Sequence, residues 1–376
     1  MLVVIAPDKF KGSLTALEAA TAIERGVRKA LGPALEVRLV PMADGGEGTV
    51  DAFLATGAQR VMCSVRGPLG ATVEAAFALS GATAIVEMAA ASGLQLMPAE
   101  ERDPLRATSY GTGELIRAAL DAGARRIVVG IGGSATNDGG AGSLSALGAR
   151  FLDDRNRELE PGGAALARLA RIDLGAFDPR IATCRIEVAA DVANPLTGPE
   201  GASAVFGPQK GADRAAVAVL APALSHFADV TAAALGRDLR AVPGAGAAGG
   251  LGFALLAFAG ATLRPGVEIV AELRGLDRAL EGASYCFTGE GSIDAQTLAG
   301  KTVDGVARAA RAHGARTIAF GGRVEATAAA QLRARGVTVI PLADPPLELA
   351  ESLRRAPALL EAAAARAGER IARAEL

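Results

Sequence analysis

The sequence predicts an α/β protein of two domains: a Rossmann-like domain built on a parallel sheet, and a second, mixed α/β domain inserted into it. Three observations carry this. Residues 2–6 (LVVIA), a helical pattern behind Thr15 and a second apolar run at 35–40 form one βαβ unit, which calls for parallel strands and a right-handed crossover. From Arg60 the texture changes to short apolar runs broken by Gly-Pro-Leu-Gly and Ser-Gly, the pattern of antiparallel hairpins. After residue 280 strand and helix alternate again, with strands at 283–288, 317–320 and 337–341. The first domain is read as residues 1–61 plus 280–376 and the inserted one as 62–279, a division that 376 residues can support.

Composition narrows the class. Half of the residues are apolar, enough for a large core, and the net charge of −2 gives no footprint for nucleic acid. No run approaches the ~18 uncharged apolar residues that a membrane span requires, and MLVVIAPDKF reads as a first strand rather than a signal peptide. A cytoplasmic protein is expected. Cys63, Cys184 and Cys286 lie far apart without a C-x-x-C, which supports neither a disulfide framework nor a zinc site. Of 39 basic residues only Lys9, Lys11, Lys29, Lys210 and Lys301 are lysine, and four of these five lie in turn-like motifs. A chain that uses arginine elsewhere keeps lysine where a compact point charge matters.

Taken in order, Thr15 and Glu18 make a capping-box pattern, and Ile23, Val27 and Leu31 follow on one helical face. Gly32-Pro33 stops that helix. PDKFKGS follows the first strand and PMADGGEGT the second. Both loops leave the carboxyl ends of parallel strands, where open α/β sheets bind ligands. Asp8, Lys9, Lys11 and Ser13 are therefore expected to face Asp44, Gly45, Gly46 and Glu47 across one cleft. Hairpins at VMCSVRG, ATVEAAFAL and ATAIVEMA precede a helix over 112–122. A buried strand, Arg126 to Ile131, then runs into Gly132, Gly133 and Ser134, followed by Thr136, Asn137 and Asp138. A small-residue helix is expected from Gly139 through Leu147. Strand, glycine-rich turn and helix is how α/β proteins hold phosphate or carboxylate; a tight structural turn is the plainer alternative.

The polar segment 153–163 reads as a loop, and strand 186–190 ends in Asp191-Val192-Ala193-Asn194-Pro195. FGPQKGAD carries Lys210 ahead of a helix of roughly twenty residues. Gly244 to Gly249 matches G-x-G-x-x-G, but RDLRAVP before it is no buried strand, so it is read as a glycine-rich helix start. Strand 283–288 runs into the loop GEGSIDAQTLAGKT, with Gly289, Glu290 and Asp294. Ala295 stands where a P-loop needs glycine, so Lys301 is not part of a Walker A motif, although it precedes a helix and could reach a phosphate. Gly321-Gly322-Arg323 is read as the loop after the next strand, and an alanine-rich helix closes the chain.

The two histidines, His226 and His313, lie in helical patterns, and no G-x-S-x-G is present. A histidine base or a Ser-His-Asp triad is not expected. Glycine with Asp, Glu, Asn, Ser and Lys recurs at strand ends instead, and this set suits phosphoryl transfer. Lysines and backbone N–H groups neutralise the phosphoryl group, carboxylates hold Mg²⁺, and an aspartate accepts the proton of the attacking hydroxyl.

With APDKFKGSLTALEAA, PMADGGEGT, GIGGSATNDGGAG, ADVANPLTGPEGA, FGPQKGA, PGAGAAGGLG and TGEGSIDAQTLAGK in this order, the chain resembles the bacterial-type glycerate kinase family over essentially its whole length. Departures, as at Lys9 and Ser292, are minor. The resemblance implies ATP- and Mg²⁺-dependent phosphorylation of D-glycerate to a phosphoglycerate, with 2-phosphoglycerate favoured, in organic acid, glyoxylate and glucarate metabolism. It also implies a two-domain fold with the active site in the interdomain cleft.

On this reading Lys9, Lys11 and Ser13 meet the substrate carboxylate or the γ-phosphate. Gly132, Gly133, Ser134, Asn137 and Asp138 form the phosphate cradle. Asp191 is the favoured base with Asn194 beside it, and Asp294 comes second. Asp191 could exchange the role of base for that of metal ligand, and Asp44, Glu47 and Glu290 are further Mg²⁺ candidates. Asp8, Gly45, Gly46, Lys210, Gly289 and Lys301 complete the binding set. The partners are ATP and D-glycerate, without nucleic acid or membrane, in a monomer or homodimer. Two rivals are a nicotinamide-dependent dehydrogenase using Gly244 to Gly249, and a non-enzymatic binder of small acids.

Overall fold

Thr15 starts the first helix, Ala16–Leu31, as its spacing to Glu18 requires: its hydroxyl accepts from Glu18 N–H while the Glu18 carboxylate accepts from Thr15 N–H. Gly32, at φ 88°, ends the helix. In the computed structural model, which describes residues 1–55 and 57–376, the strands in chain order are β1 (Leu2–Ile5), β2 (Glu36–Leu39), β3 (Gln59–Arg66), β4 (Thr72–Ser80), β5 (Thr83–Glu87), β6 (Arg126–Gly130), β7 (Arg150–Leu152), β8 (Arg171–Asp173), β9 (Arg185–Ala189), β10 (Thr262–Arg264), β11 (Tyr285–Ile293), β12 (Arg316–Val324) and β13 (Val337–Pro341).

The chain divides into two compact units, Met1–Asp44 with Pro265–Leu376, and Gly45–Arg264. The first carries a parallel sheet in the order β13-β12-β11-β1-β2. Its helix Ala16–Leu31 buries Ala19, Ile23 and Val27 in a core shared with Leu360, Ala363 and Ala364 of the helix Leu349–Ala372. Gly26 lets those two helices touch, since a Cβ there would stand 2.2 Å from the Glu361 carbonyl oxygen. β1 leads outward to β2, whereas β11, β12 and β13 build on its other side. The winding direction thus reverses between β1 and β11, which is the switch point where doubly wound sheets bind ligands.

The second unit carries a mixed sheet in the order β10-β9-β6-β5-β4-β3. β3, β4 and β5 pair antiparallel as the hairpin texture predicts, and β5, β6, β9 and β10 are parallel. Buried Glu187 of β9 ties the parallel strands together, accepting from Arg126 at 2.6 Å, Arg264 at 2.7 Å and Arg185 at 2.9 Å.

Several expectations are corrected. The unit boundary falls after Asp44 rather than 61, because the helix Thr49–Leu54 belongs to the second unit: Val50 N–H donates to Glu87 at 2.7 Å, and Phe53 is buried. The other boundary falls before Pro265 rather than 280. Val267 of the helix Gly266–Arg274 packs on Gly305, where an added Cβ would stand 2.7 Å from its methyls. The segments read as loops after 288 and 320 remain strand, paired as far as Ile293 and Val324. Glycine at 322 permits this, since a Cβ would lie 2.7 Å from the Gly291 carbonyl oxygen. The helix expected from Gly139 through Leu147 is shorter, Ala141–Ala146. Finally, the helix Arg214–Leu235 is long and apolar enough to cross a membrane by length and composition, contrary to the sequence reading. A core helix has the same composition, and its Ala223, Leu224 and Phe227 pack against Leu144, Phe151 and Phe253.

Candidate active site

In the first unit, the loops after β1 and β2 are joined by Met42 N–H donating to the Pro7 carbonyl at 2.9 Å. Asp8 N–H donates to the carbonyl of Gly289 on β11, also at 2.9 Å, so Asp8 sits beside the switch point. Its carboxylate is 8% exposed. Oδ1 accepts from Lys9 N–H at 2.7 Å and Oδ2 from the Thr302 hydroxyl. Burial pushes the Asp8 carboxyl up to about 7, and the neighbouring Asp44 charge adds to this against the two hydrogen bonds. Glu290, on β11, is likewise pushed up to about 7, first by burial, then by the charge on Asp8 and against a 2.6 Å hydrogen bond from Thr297.

Asp294 caps the turn that follows: it accepts from Gln296 N–H at 2.8 Å and from Ser292 Oγ at 3.3 Å, while its own N–H donates to Thr297. Lys301 Nζ lies 3.9 Å from Asp44 and donates to Gln296 at 2.8 Å. Ser13 spends its hydroxyl on the Phe10 carbonyl, and Lys11 is exposed. The first unit therefore gathers Asp8, Lys9, Asp44, Gly289, Glu290, Asp294 and Lys301 at the carboxyl ends of β1, β2 and β11.

The second unit holds Gly45, Gly46, Glu47, Gly132, Gly133, Ser134, Asn137, Asp138, Asp191, Asn194 and Lys210. Two glycine loops meet there by close backbone approach. A Cβ on Gly130 would stand 2.1 Å from the Gly45 carbonyl oxygen, and one on Gly132 3.4 Å from Gly46 Cα. Gly132 and Gly133 are exposed and Ser134 is 7% exposed, so this stretch is the accessible part of the motif.

The polar residues that follow turn inward. Asp138, 1% exposed, accepts from Ser109 N–H and Oγ, from Thr108, and from Gly140 and Gly142 N–H. Asn137 donates to Ser203 at 2.8 Å, and its Oδ1 is buried without a partner among the described residues. Lys210, 1% exposed, donates to the Thr136 carbonyl at 2.5 Å. Burial pushes its ammonium down to about 7, partly offset by Asp138. Asp191 and Glu47 are exposed, and Asn194 donates to the Glu200 carbonyl at 2.8 Å. The Mg²⁺ candidates thus divide, Asp44 and Glu290 in one unit and Glu47 and Asp191 in the other. Among the described residues no group of three His, Cys, Asp or Glu could hold a metal ion.

The dehydrogenase reading loses its structural context. No strand precedes Gly244, and the turn Ala247–Gly250 is built from backbone contacts, with Gly246 against the Pro195 carbonyl and Gly249 against that of Thr136. The glycerate kinase family model matches residues 3–372. The chain belongs to the glycerate kinase family. It is 53% identical to the glycerate kinase of Bacillus subtilis (strain 168), over 86% of this chain and 85% of that one. It is also 53% identical to the glycerate 2-kinase of Escherichia coli (strain K12), over 83% and 82%. A solved chain from Salmonella typhimurium LT2, put forward as glycerate kinase 2, superimposes with a TM-score of 0.89 at 45% identity, covering 100% of this chain and 99% of that one. The protein is accordingly a kinase, and the reading as a mere binder of small acids is set aside.

Sequence reasoning missed the hydroxyls of this kinase that hold its acids: Thr302 on Asp8, Thr297 on Glu290, and Thr108 and Ser109 on Asp138. The signal available was threonine and serine at helix starts near the motifs.

Proposed function

We propose that the enzyme transfers the γ-phosphoryl group of ATP to the 2-hydroxyl of D-glycerate, with Mg²⁺, as a cytoplasmic monomer or homodimer. The observation that carries the reading is the pair of acids, buried Asp8 and half-buried Glu290, flanking the switch point of a chain related at 53% identity to a glycerate 2-kinase. Their oxygen donors fit a hard cation. The charge of Asp44 raises the cost of ionising Asp8, which a bound dication relieves, and Mg²⁺ needs only one or two carboxylates besides phosphate oxygens. Asp8 and Asp44 would hold it, and once bound it would neutralise charge on the phosphates.

The chain's own residues account for the rest. The exposed N–H groups of Gly132 and Gly133, with Ser134 and the Gly45-Gly46 loop, bind anionic oxygens. Lys9, Lys11 and Lys301 supply positive charge. Asp191, exposed at the end of β9, takes the proton of the attacking hydroxyl, with Asp294 as the second candidate. Asn137, Asp138 and Lys210 act from beneath by fixing the loop.

The test is ADP release with Mg-ATP and D-glycerate, against L-glycerate and no acceptor, with the product identified by phosphorus NMR. ADP with D-glycerate alone and a 2-phosphoglycerate resonance support the reading. A 3-phosphoglycerate resonance overturns the position, and no ADP above the controls overturns the substrate.

A further inference from the structure

The second unit contains a cavity of about 640 Å³, within the size range of small-molecule sites. Three arginines line it, Arg66 from β3 with Arg106 and Arg168, against a single carboxylate, Glu160. Glu160 is paired with Arg168. Among the described residues Arg106 makes no ion pair. Arg66 lays its guanidinium over the Tyr110 ring, 4.0 Å from the centroid, which uses its face and leaves its N–H edge available. The lining thus carries uncompensated positive charge in guanidinium form, the geometry that matches planar or tetrahedral oxyanions through paired N–H bonds. Leu105 adds apolar wall.

We propose that this cavity binds a small organic phosphate carrying at least two negative charges, held by Arg66, Arg106 and Arg168. The proposal is independent of the phosphoryl-transfer reaction, because it concerns binding at residues given no part in that chemistry.

The chain has no tryptophan and two tyrosines, Tyr110 and Tyr285. Tyr285→Phe therefore leaves Tyr110, in contact with Arg66, as the sole fluorophore of its class. Titration of that variant with glycerol 2-phosphate should give a saturable change in tyrosine emission, and calorimetry on the natural chain the same midpoint. Arg106→Ala or Arg168→Ala should weaken the midpoint by about tenfold or more, as loss of a hydrogen bond to a charged group implies. Arg333→Ala, an exposed site in the other unit, should leave it unchanged. No saturable binding by calorimetry overturns the proposal, as does an unchanged midpoint in both arginine variants. Equal affinity for succinate overturns the assignment to phosphate.

Discussion

Thr302 donates its hydroxyl hydrogen to Oδ2 of Asp8, joining the helix Thr302–Ala312 to the loop after β1. The bond favours the ionised carboxylate against burial and the charge of Asp44. Thr302→Val should raise the Asp8 pKa further. A hydrogen bond to a charged group is worth roughly 1.5–3 kcal/mol, so turnover below pH ~7 should fall by about tenfold or more. The rising limb of the kcat profile should move to higher pH. An unchanged profile would detach Asp8 from catalysis.

Asp8 and Glu290 also give stability a pH dependence. Unfolded, both release their protons near pH ~4; folded, they hold them to about 7. Between these limits the native state binds more protons, so their contribution to stability is lost as pH rises and levels off above about 7. Urea denaturation from pH 4 to 8 should show this slope, and Asp8→Asn should flatten it. A parallel slope in the variant would remove Asp8 as its source.

Lys210 works in the opposite sense. Its ammonium deprotonates near 7 when folded and only around 10 when unfolded, so the unfolded state binds more protons in that window and stability rises with pH across it. Lys210→Met should abolish this rise. It should also cost about 1–3 kcal/mol by leaving the Thr136 carbonyl without its donor. Melting curves at pH 7 and 9 test both statements, and an equal gain with pH in the two proteins would refute the first.

Asp138→Asn replaces a carboxylate that five groups point at. One amide cannot accept them all, and a loss of about 2–4 kcal/mol is expected. Denaturation midpoints within error of the natural protein would show that the loop does not depend on this hub.

Asp191→Asn, at an exposed position, should cut turnover by orders of magnitude and leave the denaturation curve unchanged. Near-normal turnover would pass the role of base to Asp294.

Local signals were the most legible part of the sequence. The capping box at Thr15, the stop at Gly32 and the hairpins after Gln59 depend on neighbours a few residues apart. The continuation of β11 through Glu290 was hidden because glycine signals a turn when read alone, whereas here it admits a neighbouring backbone. Asp138 and Lys210 were recognised as important, but their direction was not legible. Facing inward depends on Ser109 and Thr136, brought close by the fold rather than by sequence. The same holds for Asp8, whose burial comes from strands drawn from both ends of the chain.

The pairing of β1 with β11 sets an order on synthesis. β1 and β2 leave the ribosome well before the neighbour that completes the middle of their sheet, Tyr285–Ile293, is translated. The second unit is one continuous stretch, Gly45–Arg264. Domains fold as units during translation, so the nascent chain must carry an unfinished, acid-bearing βαβ fragment while more than half of its length emerges. The strand pair β1 and β2 is thereby among the last parts to become native.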